Sequence, residues 1–186
     1  MARLYLALVH HPVVNRRGEV VASAVTNLDL HDIARAARTF EAKGFFVTTP
    51  LEDQQGFARR IVEHWTIGPG ADHIPDRRLA MELVRITGSL DEAIAAVTAA
   101  EGRPPRLVAT GARKHPQAIG YAALRSRIAD DRPHLLLFGT AWGLAPEVIA
   151  AADWVLAPIA GTSGYNHLSV RSAAAIVLDR LLGAPA

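Results

Sequence analysis

The sequence predicts an α/β protein built on a mostly parallel sheet with helices on both faces. Three observations carry that expectation. Short runs that are apolar throughout, rather than alternating, suit strands covered on both sides. They alternate with helix-length patterns through short connections, the order of a parallel sheet. Glycine and proline directly follow the last strands, where open parallel sheets gather their ligands.

The expected strands are Leu4–Val9, Phe45–Thr49, Leu83–Thr87, Leu107–Thr110, Leu135–Phe138 and Trp154–Leu156. The expected helices are Leu30–Lys43, Gln54–His64, Leu90–Glu101, Gln117–Ala129, Pro146–Ala151 and Leu168–Leu182. His11–Gly18 reads as a loop or hairpin, with Asn15-Arg-Arg-Gly18 supplying turn chemistry. Ser89-Leu-Asp-Glu92 has the spacing of a capping box, and Gly44 and Gly102 stand where helices want a left-handed residue. Thr66–Arg78, rich in Gly, Pro and Asp, is the expected surface excursion.

At 186 residues, half of them hydrophobic, the chain suits one compact domain spanning 1–186. No apolar run has the length of a membrane span, and Met1–Val9 is too short for a signal peptide and leads straight into His10 and His11. The chain has no cysteine, which excludes disulfides, thiolate nucleophiles and cysteine-bound zinc, and the expected location is the cytoplasm. Net charge is only +2. Between Arg103 and Arg132, however, Arg103, Arg106, Arg113, Lys114, Arg125, Arg127 and Arg132 outnumber Asp130 and Asp131, a surplus that could hold phosphates or could be a solvated face.

The usual fingerprints are missing. No G-x-G-x-x-G opens a helix after a strand, and neither a P-loop nor a G-x-S-x-G elbow occurs. His10 and His11 would point to opposite faces of a strand, and Asp29, His31 and Asp32 suit capping better than chelation, so no metal is expected. Instead, Leu135-Leu-Leu-Phe-Gly139-Thr-Ala-Trp-Gly143-Leu144 is a strand running into a two-glycine loop. Trp154-Val-Leu-Ala-Pro158-Ile-Ala-Gly161 repeats the idea. Glycine lets ligand atoms approach backbone amides. His167-Leu-Ser-Val-Arg-Ser-Ala-Ala-Ala follows, with residues small enough for close helix packing.

At these residues the chain resembles the SPOUT, or α/β-knot, methyltransferases. Leu135–Glu147 is similar to their G-x-x-x-G-L strand and loop, and Ala157–Gly161 with His167–Leu178 to their P-[IM]-x-G loop and following helix, with Ser169 and Arg171 departing from the family's Asn and Ser. Thr26–Phe40 resembles their N-x-G-x-x-x-R-T-A motif with its following aromatic; Asp29 or Asn27 stands near the family's Asn, His31 replaces its Gly, and Arg35 matches its Arg. The resemblance implies a C-terminal trefoil knot over approximately 105–182, a homodimer packed through the knot region, and S-adenosylmethionine (SAM) as cofactor. It implies SAM-dependent methylation of RNA (tRNA or rRNA) at a base nitrogen or a ribose hydroxyl.

By the same resemblance the cofactor lies among Thr110, Gly111 and Ala112; Phe138, Gly139, Thr140, Gly143 and Leu144; and Pro158, Ile159, Gly161, His167, Leu168, Ser169 and Val170, with Leu144, Ile159 and Leu168 about the adenine. Arg35 would orient substrate or cofactor, although a surface pair with Asp32 or Glu41 is the plainer reading. Asp29, Asp32 or His31 would serve as base, and Arg171 and Asn166 flank the loop. Two alternatives stay open: a non-catalytic RNA-binding or assembly protein on a degenerate knot, and a methyltransferase with a non-RNA acceptor.

Overall fold

A computed structural model of the chain describes residues 2–184. Seven parallel strands form one sheet in the order β5-β4-β1-β8-β6-β9-β7. These are β1 (Arg3–Val9), β4 (Gly44–Thr48), β5 (Val84–Thr87), β6 (Arg106–Ala109), β7 (Ala118–Ile119), β8 (Pro133–Gly139) and β9 (Trp154–Leu156). A small antiparallel hairpin, β2 (Val13–Val14) and β3 (Val20–Val21), follows β1.

Both sheet faces are covered, and the apolar runs reflect it. In β1, Leu4, Leu6 and Leu8 enter one core while Tyr5, Ala7 and Val9 enter the other; in β8, Leu136 and Phe138 oppose Leu135 and Leu137. Helices α1 (Asn27–Thr39), α2 (Glu52–Thr66), α4 (Pro75–Met81), α6 (Tyr121–Arg127) and α8 (Val170–Leu182) contribute to the first core. Helices α5 (Leu90–Glu101) and α7 (Pro146–Ala151) and the hairpin pack on the second. The chain winds outward from β1 to β5 on one side and occupies β8, β6, β9 and β7 on the other. The order of winding therefore switches between β1 and β8, and their ends are level, with Val9 beside Gly139. Such a switch point opens a crevice beyond the carboxyl ends.

Local chemistry sets the boundaries. α1 begins three residues before the expected Leu30 because the Thr26 hydroxyl accepts from the Asp29 amide. At α5, Ser89 caps Glu92 N as expected, but the Glu92 carboxylate reaches past Ser89 to the Gly88 amide at 2.7 Å. Gly102 is left-handed at φ +73°. Gly44 is not: Glu41 takes that role at φ 56°, and Gly44 opens β4, where a Cβ would lie 3.1 Å from the Tyr5 ring.

Two further expectations differ from the structure. The excursion from Thr66 is largely helical, as α3 (Gly70–His73) and α4, the latter started by Pro75 in its first turn. The helix expected over Gln117–Ala129 is split, its first residues forming β7 at the sheet edge.

Leu136 lies fully buried in the central strand β8. Leu136→Ala is expected to lower the unfolding free energy by about 2–5 kcal/mol, read from denaturant titrations at unchanged m-value.

Candidate active site

A cavity of about 880 Å³ opens beyond the carboxyl ends of β1, β6, β8 and β9. Its walls include Ser23, Ala24, Thr26 and Asp29 from the segment after β1, and Thr110, Gly111, Ala112 and Arg113 after β6. Phe138, Gly139, Thr140, Trp142 and Gly143 come from β8 and its loop. Ile159, Asn166, His167, Leu168, Ser169, Val170 and Arg171 close it from the other side. Most residues expected around the cofactor thus meet in one place. Leu144, Pro158 and Gly161 do not line it. Leu144 turns into the second core against the hairpin, where it bridges to Val13.

The β8 loop is folded tightly on itself. Gly143 sits at φ +112° and Ala141 at φ 51°, and a Cβ on Gly139 would lie 2.5 Å from Leu144 N. Gly139 therefore serves the close return of the loop's own backbone. Gly111, with nothing within 4 Å of a built Cβ, leaves open space in the cavity wall. The hairpin holds the same loop: Val14 N donates to Gly143 O at 2.9 Å, and Trp142 N to Val14 O at 3.0 Å.

A part-buried polar chain joins this loop to the end of β1, a connection the sequence did not reveal. His10, fully buried, shares a hydrogen bond of 2.9 Å between its Nδ1 and Ser23 Oγ. Ser23 Oγ meets Thr140 Oγ1 at 2.5 Å, and Thr140 Oγ1 donates to Val9 O. Burial holds the His10 pKa down at about 4, with Asp29 opposing more weakly.

On the opposite wall Asp29 is 7% exposed. Its carboxylate accepts from Thr26 Oγ1 at 2.7 Å and from Arg171 Nη1 at 3.3 Å, while Arg171 Nε reaches Asp32 at 3.2 Å. Asn166 Nδ2 donates to Ala112 O at 2.9 Å, tying the segment after β9 to that after β6.

Arg35, His31 and Asp32 face elsewhere. They line a second cleft of about 690 Å³ between α1, α2 and α4, with Arg60, His64, Trp65 and Arg77. Neither the Asp32 nor the Glu41 pair expected for Arg35 forms; Asp32 pairs with Arg171 instead. The basic run after Arg103 is partly engaged in the fold: Arg103 pairs with Asp131, Arg106 with Asp153, Arg125 donates to Gly183 O and Arg127 lies over Trp154. Among the described residues, no group of three or more His, Asp or Glu side chains is arranged to hold a metal ion.

A sequence model of the SAM-dependent RNA methyltransferase family matches residues 3–183. The chain belongs to that family. It is 48% identical to a tRNA (guanine-N(1)-)-methyltransferase of Oleidesulfovibrio alaskensis over 97% of its own length and 42% of the relative's. Its match to a protein of the same description in Nitratidesulfovibrio vulgaris, at 46% identity, also spans 42% of that protein. An uncharacterized protein of Aquifex aeolicus is 38% identical, over 96% of this chain and 87% of that one. Among solved structures, a probable methyltransferase from Bordetella pertussis superposes with a TM-score of 0.61 at 16% identity, covering 97% of this chain and 92% of that one. The AdoMet complex of the SpoU methyltransferase AviRb from Streptomyces viridochromogenes gives a TM-score of 0.54 at 19% identity, covering 98% and 58%. These structural likenesses establish a shared SPOUT-type fold.

The cavity fits the cofactor of this SAM-dependent family. Its volume lies in the range of small-molecule pockets. Phe138, Leu156, Ile159, Leu168 and Val177 provide apolar walls for a heterocycle, and loop backbone supplies polar edges. The Asp29 carboxylate and the Thr26 hydroxyl provide a polar end.

Because folding favours neutral His10, the folded protein binds fewer protons than the unfolded chain between the ordinary pKa of 6.5 and about 4. Stability should fall as pH drops through that window, by on the order of 3 kcal/mol from His10. Burial also lowers the pKa of His31 and His134, which adds loss in the same direction. In denaturant titrations from pH 7 to pH 4, the His10→Gln protein should show a shallower decline than wild type; parallel curves would remove His10 as the cause.

Proposed function

We propose that the chain is the catalytic unit of a tRNA methyltransferase, binding SAM in the cavity beyond β6, β8 and β9. The observation that carries this reading is the meeting of four loops around one cavity in a chain of this family. The two tRNA (guanine-N(1)-)-methyltransferases support a guanine nitrogen as the acceptor. Bound there, SAM supplies an electrophilic methyl on sulfur. The chain's own task is to align the acceptor atom and take up its proton. Asp29 suits the second part, since it lines the cavity with its carboxylate oriented by Thr26 and Arg171. Arg35, on the far side of α1, suits orientation of the RNA.

Two features support a C-terminal knot. β9 lies between β6 and β7, which are joined by residues 110–117 across its carboxyl end. α7 enters β9 from one face and α8 leaves onto the other. Trp142, Tyr165 and Leu168, at 53%, 73% and 44% exposure, leave apolar surface around the same segment. That exposed apolar surface supports the homodimer reading, in which a second copy would cover it, and work on tRNA suits the cytoplasm. Among the described residues no helix is long and apolar enough to cross a membrane.

Calorimetry should detect SAM binding by the wild-type protein and none by Gly139→Val, whose side chain collides with the Gly143–Leu144 backbone. Absence of binding by wild type would defeat the central reading. With tRNA as acceptor and SAM at saturation, Asp29→Asn should lose roughly 10²-fold or more in methylation rate, the scale of a lost general base. Arg35→Ala should keep SAM affinity and lose methyl transfer; full activity would remove Arg35 from the site.

A further inference from the structure

The cleft between α1, α2 and α4 is not part of the cofactor cavity, yet it is built with some care. Arg35, Arg60 and Arg77 converge on it from three different helices, joined by His31 and His64. Among the described residues none of these arginines forms an ion pair. The carboxylate in the lining, Asp32, is already engaged by Arg171. The uncompensated charge makes the cleft a site for an anion.

Trp65 gives the cleft its shape. The Arg77 guanidinium lies 4.5 Å from the ring centroid, a cation–π contact that holds its position. His31 and His64 meet the same ring edge-on at 5.6 and 4.9 Å. His31 Nδ1 is buried without a hydrogen-bond partner. Phe57 and Ile61 add an apolar floor. A patch of several spaced cations with aromatic and aliphatic surface between them matches a chain of phosphates carrying bases.

Position links the cleft to the chemistry. His31, Asp32 and Arg35 share α1 with Asp29 of the cofactor cavity, and Arg171 contacts both Asp29 and Asp32. A strand held in the cleft therefore reaches the cavity by crossing the Asp32–Arg171 pair.

We propose that this cleft binds the phosphodiester backbone of the acceptor RNA beside the nucleotide to be methylated, with Arg60 and Arg77 holding phosphates and Trp65 positioning Arg77. The proposal rests on the RNA reading above. It is tested on the full chain with bulk tRNA, comparing wild type, Arg60→Ala/Arg77→Ala, and a control of equal charge loss at the exposed hairpin turn, Arg16→Ala/Arg17→Ala. The cleft variant should bind tRNA at least about tenfold more weakly, with a salt dependence shallower by about 1.5 in log–log slope. Its SAM affinity should match wild type, and the control should bind tRNA almost as wild type does. Arg60→Glu, a single change at an exposed position, should weaken tRNA binding without loss of fold, which a thermal melt checks. If wild type binds tRNA and the cleft variant is indistinguishable from the control, the cleft assignment is overturned and the RNA reading stands. If wild type binds SAM but no tRNA, both are overturned.

Discussion

Arg171 reaches from the first turn of α8 to two carboxylates on α1, and this link ties together two of the segments that wall the cavity beyond the strands' carboxyl ends. The two contacts are not equivalent. Asp32 is 48% exposed at its side chain, and a pair of that kind contributes about 0–1 kcal/mol. Asp29 is 10% exposed at its side chain, so losing Arg171 would strip its carboxylate of a charged partner away from water, a loss that costs roughly 3–5 kcal/mol where burial is complete. Thr26 shares the burden by donating to the same carboxylate. One guanidinium thus orients an acid in the cavity and, through Asp32, stands between the cavity and the neighbouring cleft.

Much of the fold was legible because burial on both faces leaves a plain mark. Leu135–Phe138 and Leu4–Val9 have no polar alternation to confuse them, and both are central strands. Ser89 and Gly102 marked the ends of α5 through local capping chemistry. Elements whose existence depends on distant partners were not legible. β7 is two residues long and is a strand only because β9 lies beside it. α4 hid among Gly, Pro and Asp, although Pro75 in its first turn was a usable start signal.

The site divides along the same line. Its glycine loops announced themselves, since each follows a strand directly. The role of Gly139 could not be read, because the atom it must avoid, Leu144 N, is defined by how the loop closes. The polar chain from His10 through Ser23 to Thr140 joins residues far apart in sequence. Arg35, Arg60 and Arg77 likewise come from separate helices, and no local spacing connects them. The sequence drew attention to Arg35 and to the dense basic run after Arg103, where several side chains are spent on internal contacts, and passed over Arg60 and Arg77, which join Arg35 in the cleft.

The hairpin after β1 gives the cavity two kinds of wall. Main-chain bonds from Val14 and Pro12 to residues 142–145 make the β8 loop an extra rung of that hairpin. Its ordering entropy is therefore spent during folding, and a ligand arriving there meets a rigid template. The segment 160–169 on the other side is exposed throughout and outside any helix or strand. Whatever order binding imposes on that side is charged against affinity. Under the proposed reading, the β8 side selects which heterocycle fits, and the opposite side sets the ordering cost of holding it.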